Sequence, residues 1–434
     1  MCIPRRGGPC YAGKMTGKAR HEEEGSPASS RVQRVLLVLG FVLLAANLRP
    51  ALTSIAPLIG QIRTDTGISN GVAGLLTALP LLAFSMLSPI APRLARRFGT
   101  ERVLLASMLV LAAGILLRSA GVVAALFLGT AILGTAIAVG NVLLPSLVKR
   151  EFPEHTGLMT SVYSTSLAIS AAIAAGASFP IMQQTAIDWR GSLALWALLA
   201  FVAAVVWFPQ IRSARPANVS AETSQGVSGL WRCALAWQVT LFMGLQSLAY
   251  YVVLTWLPEI LQEVGGVSAS LAGWMLALAQ AVGIASMFLA PVLADRRPSQ
   301  YGVVVAAVTL AGTGTLGLLV AADAATALWV VLLGLGQGAC FSLALTFFAL
   351  RAPDSEHTAA LSGMAQSAGY LLAAIGPFLF GVLRDATHAW TVPLALLFAV
   401  AVCLLITGLG SARDTRIAAP GAPSATTPTP KDAE

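Results

Sequence analysis

The chain has 434 residues, 56% of them apolar and only 11% charged, with a mean hydropathy of +0.78. A soluble domain carries about 25% charged residues, so this composition excludes a water-solvated globule. The formal charge of +8 does not point to nucleic acid, because the basic residues fall in short connectors between apolar blocks.

Residues 1–34 are polar and rich in Gly, Arg, Lys and Ser, and read as a disordered tail. Apolar blocks of roughly twenty residues follow, the length that crosses a bilayer as a helix. In chain order they run 35–60, 71–92, 103–118, 122–148, 158–183 and 191–209, then a polar connector at 210–236. Six more follow at 237–261, 271–294, 301–321, 325–350, 359–383 and 391–411, before a second disordered tail at 413–434. The expectation is an all-α membrane protein of twelve spans. The first apolar block is too long for the h-region of a signal peptide.

Lys and Arg favour cytoplasmic connectors. With the N-terminus inside, the inner segments hold 22 of them and the outer connectors only Arg63, Arg118, Arg190 and Arg384. That bias predicts both termini in the cytoplasm of a bacterial inner membrane. The five cysteines and four histidines show no metal-ligand spacing. No metal or cofactor is expected, and His155 and His357 read as solvated residues beside helix caps.

The chain repeats itself at an offset near 200 residues. GISNGVAGLL at 67–76 aligns with GVSASLAGWM at 266–275, and Pro92 and Arg97 then fall on Pro291 and Arg296. Glu154-His155-Thr156 falls on Glu356-His357-Thr358. Two six-span halves, 35–209 and 237–412, in parallel orientation are the repeat of a transporter whose site lies between them.

Two such halves with a basic connector between the second and third spans resemble the major facilitator superfamily. The connector motif reads PRLARRFGTER at 92–102, with Arg96 where that family carries an acid, and PVLADRRP at 291–298, which keeps the acid as Asp295. The departure at Arg96 leaves Asp295 as the latch residue that the resemblance implies. More narrowly, NLRPALTSIAPLIGQI at 47–62 is similar to the first span of the cyanate and nitroimidazole permease branch. The resemblance implies that spans 1, 4, 7 and 10 line a central cavity, which favours Asn47, Asn141, Tyr250 and Gln337 as lining residues.

Arg49 sits two residues from the middle of the first block, with Pro50 directly after it. A guanidinium at that depth costs at least about 2.5–3.5 kcal/mol to insert, so it should face the bundle interior or water. No Asp or Glu falls in the middle of another block, which leaves Arg49 free to bind an anionic or polar planar solute through its fork, or to pin neighbouring carbonyls. Pro50 would loosen the backbone there. Gln246, Tyr251, Gln280 and Gln366 are further polar side chains at depth, and Trp256 could stack on a planar solute or belong to an interfacial belt. Glu259, near the outer end of the seventh block, is a rim residue, a gate or a proton carrier.

The leading expectation is a monomeric secondary transporter for a small anionic or polar planar solute, cyanate- or nitroimidazole-like, with a proton as a possible coupling ion and no nucleic-acid partner. A multidrug permease for neutral or anionic compounds is the alternative. An intramembrane enzyme or receptor is the least favoured reading: an enzyme would need a nucleophile and base, or metal ligands, at one depth, which the blocks do not supply, and a receptor an output domain, which neither tail is long or apolar enough to form.

Overall fold

A computed structural model describes residues 27–88, 90–185, 187–213, 227–296, 299–353, 355–415 and 417. The tail before residue 27 and most of both the central connector and the C-terminal tail lie outside the described residues. Among those described every regular element is helical, and twelve helical stretches are long and apolar enough to cross a membrane. Spans 1 to 6 are Arg34–Thr66, Asn70–Leu87, Thr100–Arg118, Val123–Val148, Leu158–Gln184 and Trp189–Ile211. Spans 7 to 12 are Ala234–Glu263, Ala269–Ala294, Tyr301–Val320, Thr326–Phe348, Ala360–Thr387 and Thr391–Ser411. The helix of span 1 begins at Pro27, inside the segment read as tail.

Span 2 ends at Leu87, and a separate short helix, Ala91–Phe98, carries Pro92 in its first turn, where the missing N–H costs no ladder bond. Span 1 is broken for a related reason. Its helix stops at Asn47, resumes as Pro50–Thr53, tightens to a 3₁₀ turn at Ala56–Leu58 and continues as Ile59–Thr66. Pro50 and Pro57 each remove a ladder donor at that depth.

The repeat seen in sequence is a repeat in structure. Gly67 and Gly266 both have positive φ, 71° and 65°, in the loops that follow spans 1 and 7. Ser69 and Ser268 then cap the next helices by accepting from Val72 N and Leu271 N, each at 3.3 Å. In both sets of six, the first helix packs on the fifth and sixth, the fourth on the second and third, and the third on the sixth. The sets join where span 2 meets span 11 and span 5 meets span 8. Glycine permits the first contact: a Cβ on Gly74 would lie 2.3 Å from the Pro377 carbonyl oxygen. Leu198, Val320 and Ile406 stay exposed on the flanks, where hydrocarbon rather than water would solvate them.

Candidate functional site

A cavity of about 380 Å³ lies between the two sets of six helices. Leu48, Arg49 and Leu52 of the broken span 1 face it, and Tyr250, Tyr251 and Gln246 of span 7 lie among its other walls. It reaches Pro145 and Val148 in span 4, Thr160 in span 5 and Leu345 in span 10, all towards the end of the bundle that carries the basic connectors.

Arg49 is held by neutral groups. Its Nη1 donates to the Tyr250 hydroxyl at 3.1 Å, and its guanidinium carbon lies 5.5 Å from the centre of the Tyr250 ring. Gln280 Nε2 donates to the same hydroxyl at 2.8 Å. A phenol oxygen accepts two bonds and donates one, so with both acceptor positions taken the Tyr250 O–H still has its proton to donate. Tyr163, Tyr251 and Tyr370 surround the same guanidinium. The cavity lining contains no Asp or Glu among the described residues.

Three amides line the cavity besides Gln246 and Gln280. Asn141 accepts from Tyr163 Oη at 3.3 Å, which leaves its NH₂ available. Gln337 donates to the Ala249 carbonyl at 3.3 Å and Gln366 to Ser362 Oγ at 2.8 Å.

Two residues expected in the site lie elsewhere. Trp256 is fully buried, donating through Nε1 to the Pro377 carbonyl at 2.9 Å and packing on Trp390. Asn47 points away, donating to the Leu43 and Leu199 carbonyls at 2.8 and 3.2 Å. Both satisfy buried backbone, an obligation no solute relieves. Arg118, counted as an outer-connector residue, is fully buried at the end of span 3, donating to the Ala51 carbonyl at 2.6 Å. The broken helix of span 1 supplies that carbonyl, and Pro50 is the residue after Arg49 that starts its second piece. Asp295 ends a helix, with its side chain outside the described ones. Sequence reasoning missed Tyr370 and Phe84, although Tyr370 lies four residues after Gln366 and so on the same helix face.

Away from the cavity, at the end where spans 1, 7 and 11 finish, the sets are tied together. Arg63 of span 1 pairs with Glu259 of span 7, whose carboxylate is largely buried. Asp385 of span 11 accepts from Asn70 N at 3.1 Å, Asn70 Nδ2 at 2.8 Å and Gly71 N at 2.8 Å. These amides open the helix of span 2, so the carboxylate meets both free N–H groups and the positive end of a dipole. Arg384 pairs with Glu263 beside them at 2.6 Å.

The Major Facilitator Superfamily profile matches residues 35–377. The 2-nitroimidazole transporter of Escherichia coli (strain K12) is 41% identical over 90% of this chain and 99% of its own. The cyanate transport protein CynX of the same organism is 32% identical over 81% of this chain and 90% of its own. A crystal structure of a D-xylose-proton symporter superposes with a TM-score of 0.71 at 15% identity, covering 88% of this chain and 98% of that one. A duplicated twelve-helix bundle with a cavity between its repeats and a full-length match to both permeases is a multi-pass membrane transporter and not an enzyme; the chain belongs to the Major Facilitator Superfamily, in its cyanate and nitroimidazole permease branch.

Proposed function

We propose that the chain is a secondary active transporter that moves a small anionic or polar planar solute, cyanate- or nitroimidazole-like, by alternating access. The observation that carries this reading is Arg49, facing the central cavity with a phenol as its hydrogen-bond partner and no acidic side chain in the described lining. Its fork and the Tyr250 O–H converge on one space, as flat, delocalised oxygens or nitrogens require. Four tyrosines in the lining, Tyr163, Tyr250, Tyr251 and Tyr370, suit a planar body. A volume of about 380 Å³ is near the lower end for ligand pockets, which favours a small solute over a bulky drug. The halves 35–209 and 237–412 rock about this site, and both termini face the cytoplasm of a bacterial inner membrane. Glu259 with Arg63, and Asp385 with the start of span 2, form the outer gate. The protein acts as a monomer, and a coupling proton has Glu259 as its nearest buried carboxylate on span 7.

The test is binding and flux by purified protein. Cyanate and 2-nitroimidazole should raise the melting temperature of the wild type, and Arg49→Ala should abolish the shift and the uptake while reaching the membrane in equal amount. Arg49→Lys keeps the charge but loses the fork, so it should bind at least about tenfold more weakly. Wild-type binding by well-expressed Arg49→Ala would refute the reading.

A further inference from the structure

We propose that this transporter is an anion exchanger: the solute's negative charge is the missing partner of Arg49, and without an anion the halves pass only slowly through their closed intermediate. The inference rests on the reading of Arg49 as the solute-binding residue.

The charge count of the cavity carries it. Arg49 is the only charged side chain among the described lining residues. Its partners are a phenol and, through that phenol, an amide, both neutral. The described carboxylates that could approach are committed elsewhere. Glu259 pairs with Arg63 and stands nine residues along the helix from Tyr250, roughly 14 Å at 1.5 Å per residue. Asp385 spends both oxygens on the start of span 2. Glu101, Glu263 and Asp65 are paired with Arg150, Arg384 and Arg190.

While the cavity is open to water, the guanidinium is hydrated. Switching sides requires a stage in which both ends are closed and that water is largely lost. An isolated ion in such surroundings costs far more than an ion pair with its hydrogen bonds made. A bound monovalent anion makes the site neutral and supplies acceptors to Arg49 and Tyr250. The loaded carrier therefore crosses readily and the empty carrier slowly. Such a carrier swaps anion for anion. For monovalent pairs the loaded site is neutral in both directions, so the membrane potential does not drive the swap. The ligand class is narrowed too: a neutral planar molecule can occupy the cavity without releasing the carrier.

The experiment uses the full chain with its five native cysteines replaced and dyes attached at Thr64 and Val264, exposed positions on opposite sides of the closed end. Single-molecule energy transfer then reads opening and closing without any solute. Empty wild type should switch at least about tenfold less often than empty Arg49→Gln, and Arg49→Lys, which keeps the charge, should stay slow. Saturating cyanate should speed the wild type and leave Arg49→Gln unchanged. In proteoliposomes, labelled cyanate should enter cyanate-loaded vesicles at least tenfold faster than vesicles whose only internal anion is a bulky polyanion too large for the cavity. Equal switching by empty wild type and Arg49→Gln, or equal entry into both kinds of vesicle, overturns the exchange inference. If cyanate and 2-nitroimidazole bind wild type and Arg49→Gln alike, it is the assignment of Arg49 to the solute that falls.

Discussion

Arg49 and Tyr250 act as one unit, because a single phenol oxygen fixes the guanidinium and the Gln280 amide at 3.1 and 2.8 Å. Tyr250→Phe keeps the ring under the guanidinium but removes that acceptor and the spare O–H. Hydrogen bonds to charged groups contribute about 1.5–3 kcal/mol, so anion binding should weaken tenfold or more by calorimetry, with little change in fold. Arg49 was legible in the sequence because a charge within an apolar block needs a reason. Trp256 misled because an indole suits a stacking site, a lipid interface or a buried donor equally well. What decided it was the Pro377 carbonyl 2.9 Å from Nε1, which belongs to span 11. Asn47 has the same history: its partner at Leu199 is 152 residues away.

At the scale of elements, the contact between spans 2 and 11 is made by small residues and one carboxylate. The backbone of Gly381 approaches Asn70 so closely that a Cβ would sit 2.3 Å from its carbonyl oxygen, and Asp385 takes up the neighbouring N–H groups. Asp385→Ala removes the acceptor of three donors at once. An impermeant maleimide applied from outside should then label a cysteine at Leu52, a cavity residue, several-fold faster than in the parent. Gly74→Val should act in the same direction, since its side chain must displace the Pro377 carbonyl. The element boundaries were largely legible, with span 3 ending at Arg118 and spans 9 and 12 starting at Tyr301 and Thr391 as expected. The break in span 1 was legible only as a weak spot at Pro50, because the path the chain takes after losing a ladder bond depends on neighbours such as Arg118 that cover the freed carbonyls.

Over the whole molecule, the placement of charge makes a separate prediction. Reporter fusions at either terminus should be active only in the cytoplasm, given 22 Lys and Arg in the tails and connectors of one side and only Arg63, Arg190 and Arg384 towards the other once the buried Arg118 is set aside. A periplasmic signal from either end would overturn the orientation. Hydropathy, charge bias and the offset near 200 residues are properties of the chain in one dimension. They determined the twelve spans, the pairing into two sixes and the presence of a charge that needs a partner, because bilayer thickness and backbone satisfaction admit few alternatives. Only the tertiary structure decided which polar side chains meet at Arg49 and which serve the packing. That choice depends on helix rotation and on contacts between residues as far apart as Asn70 and Asp385, neither of which a period of 3.6 records.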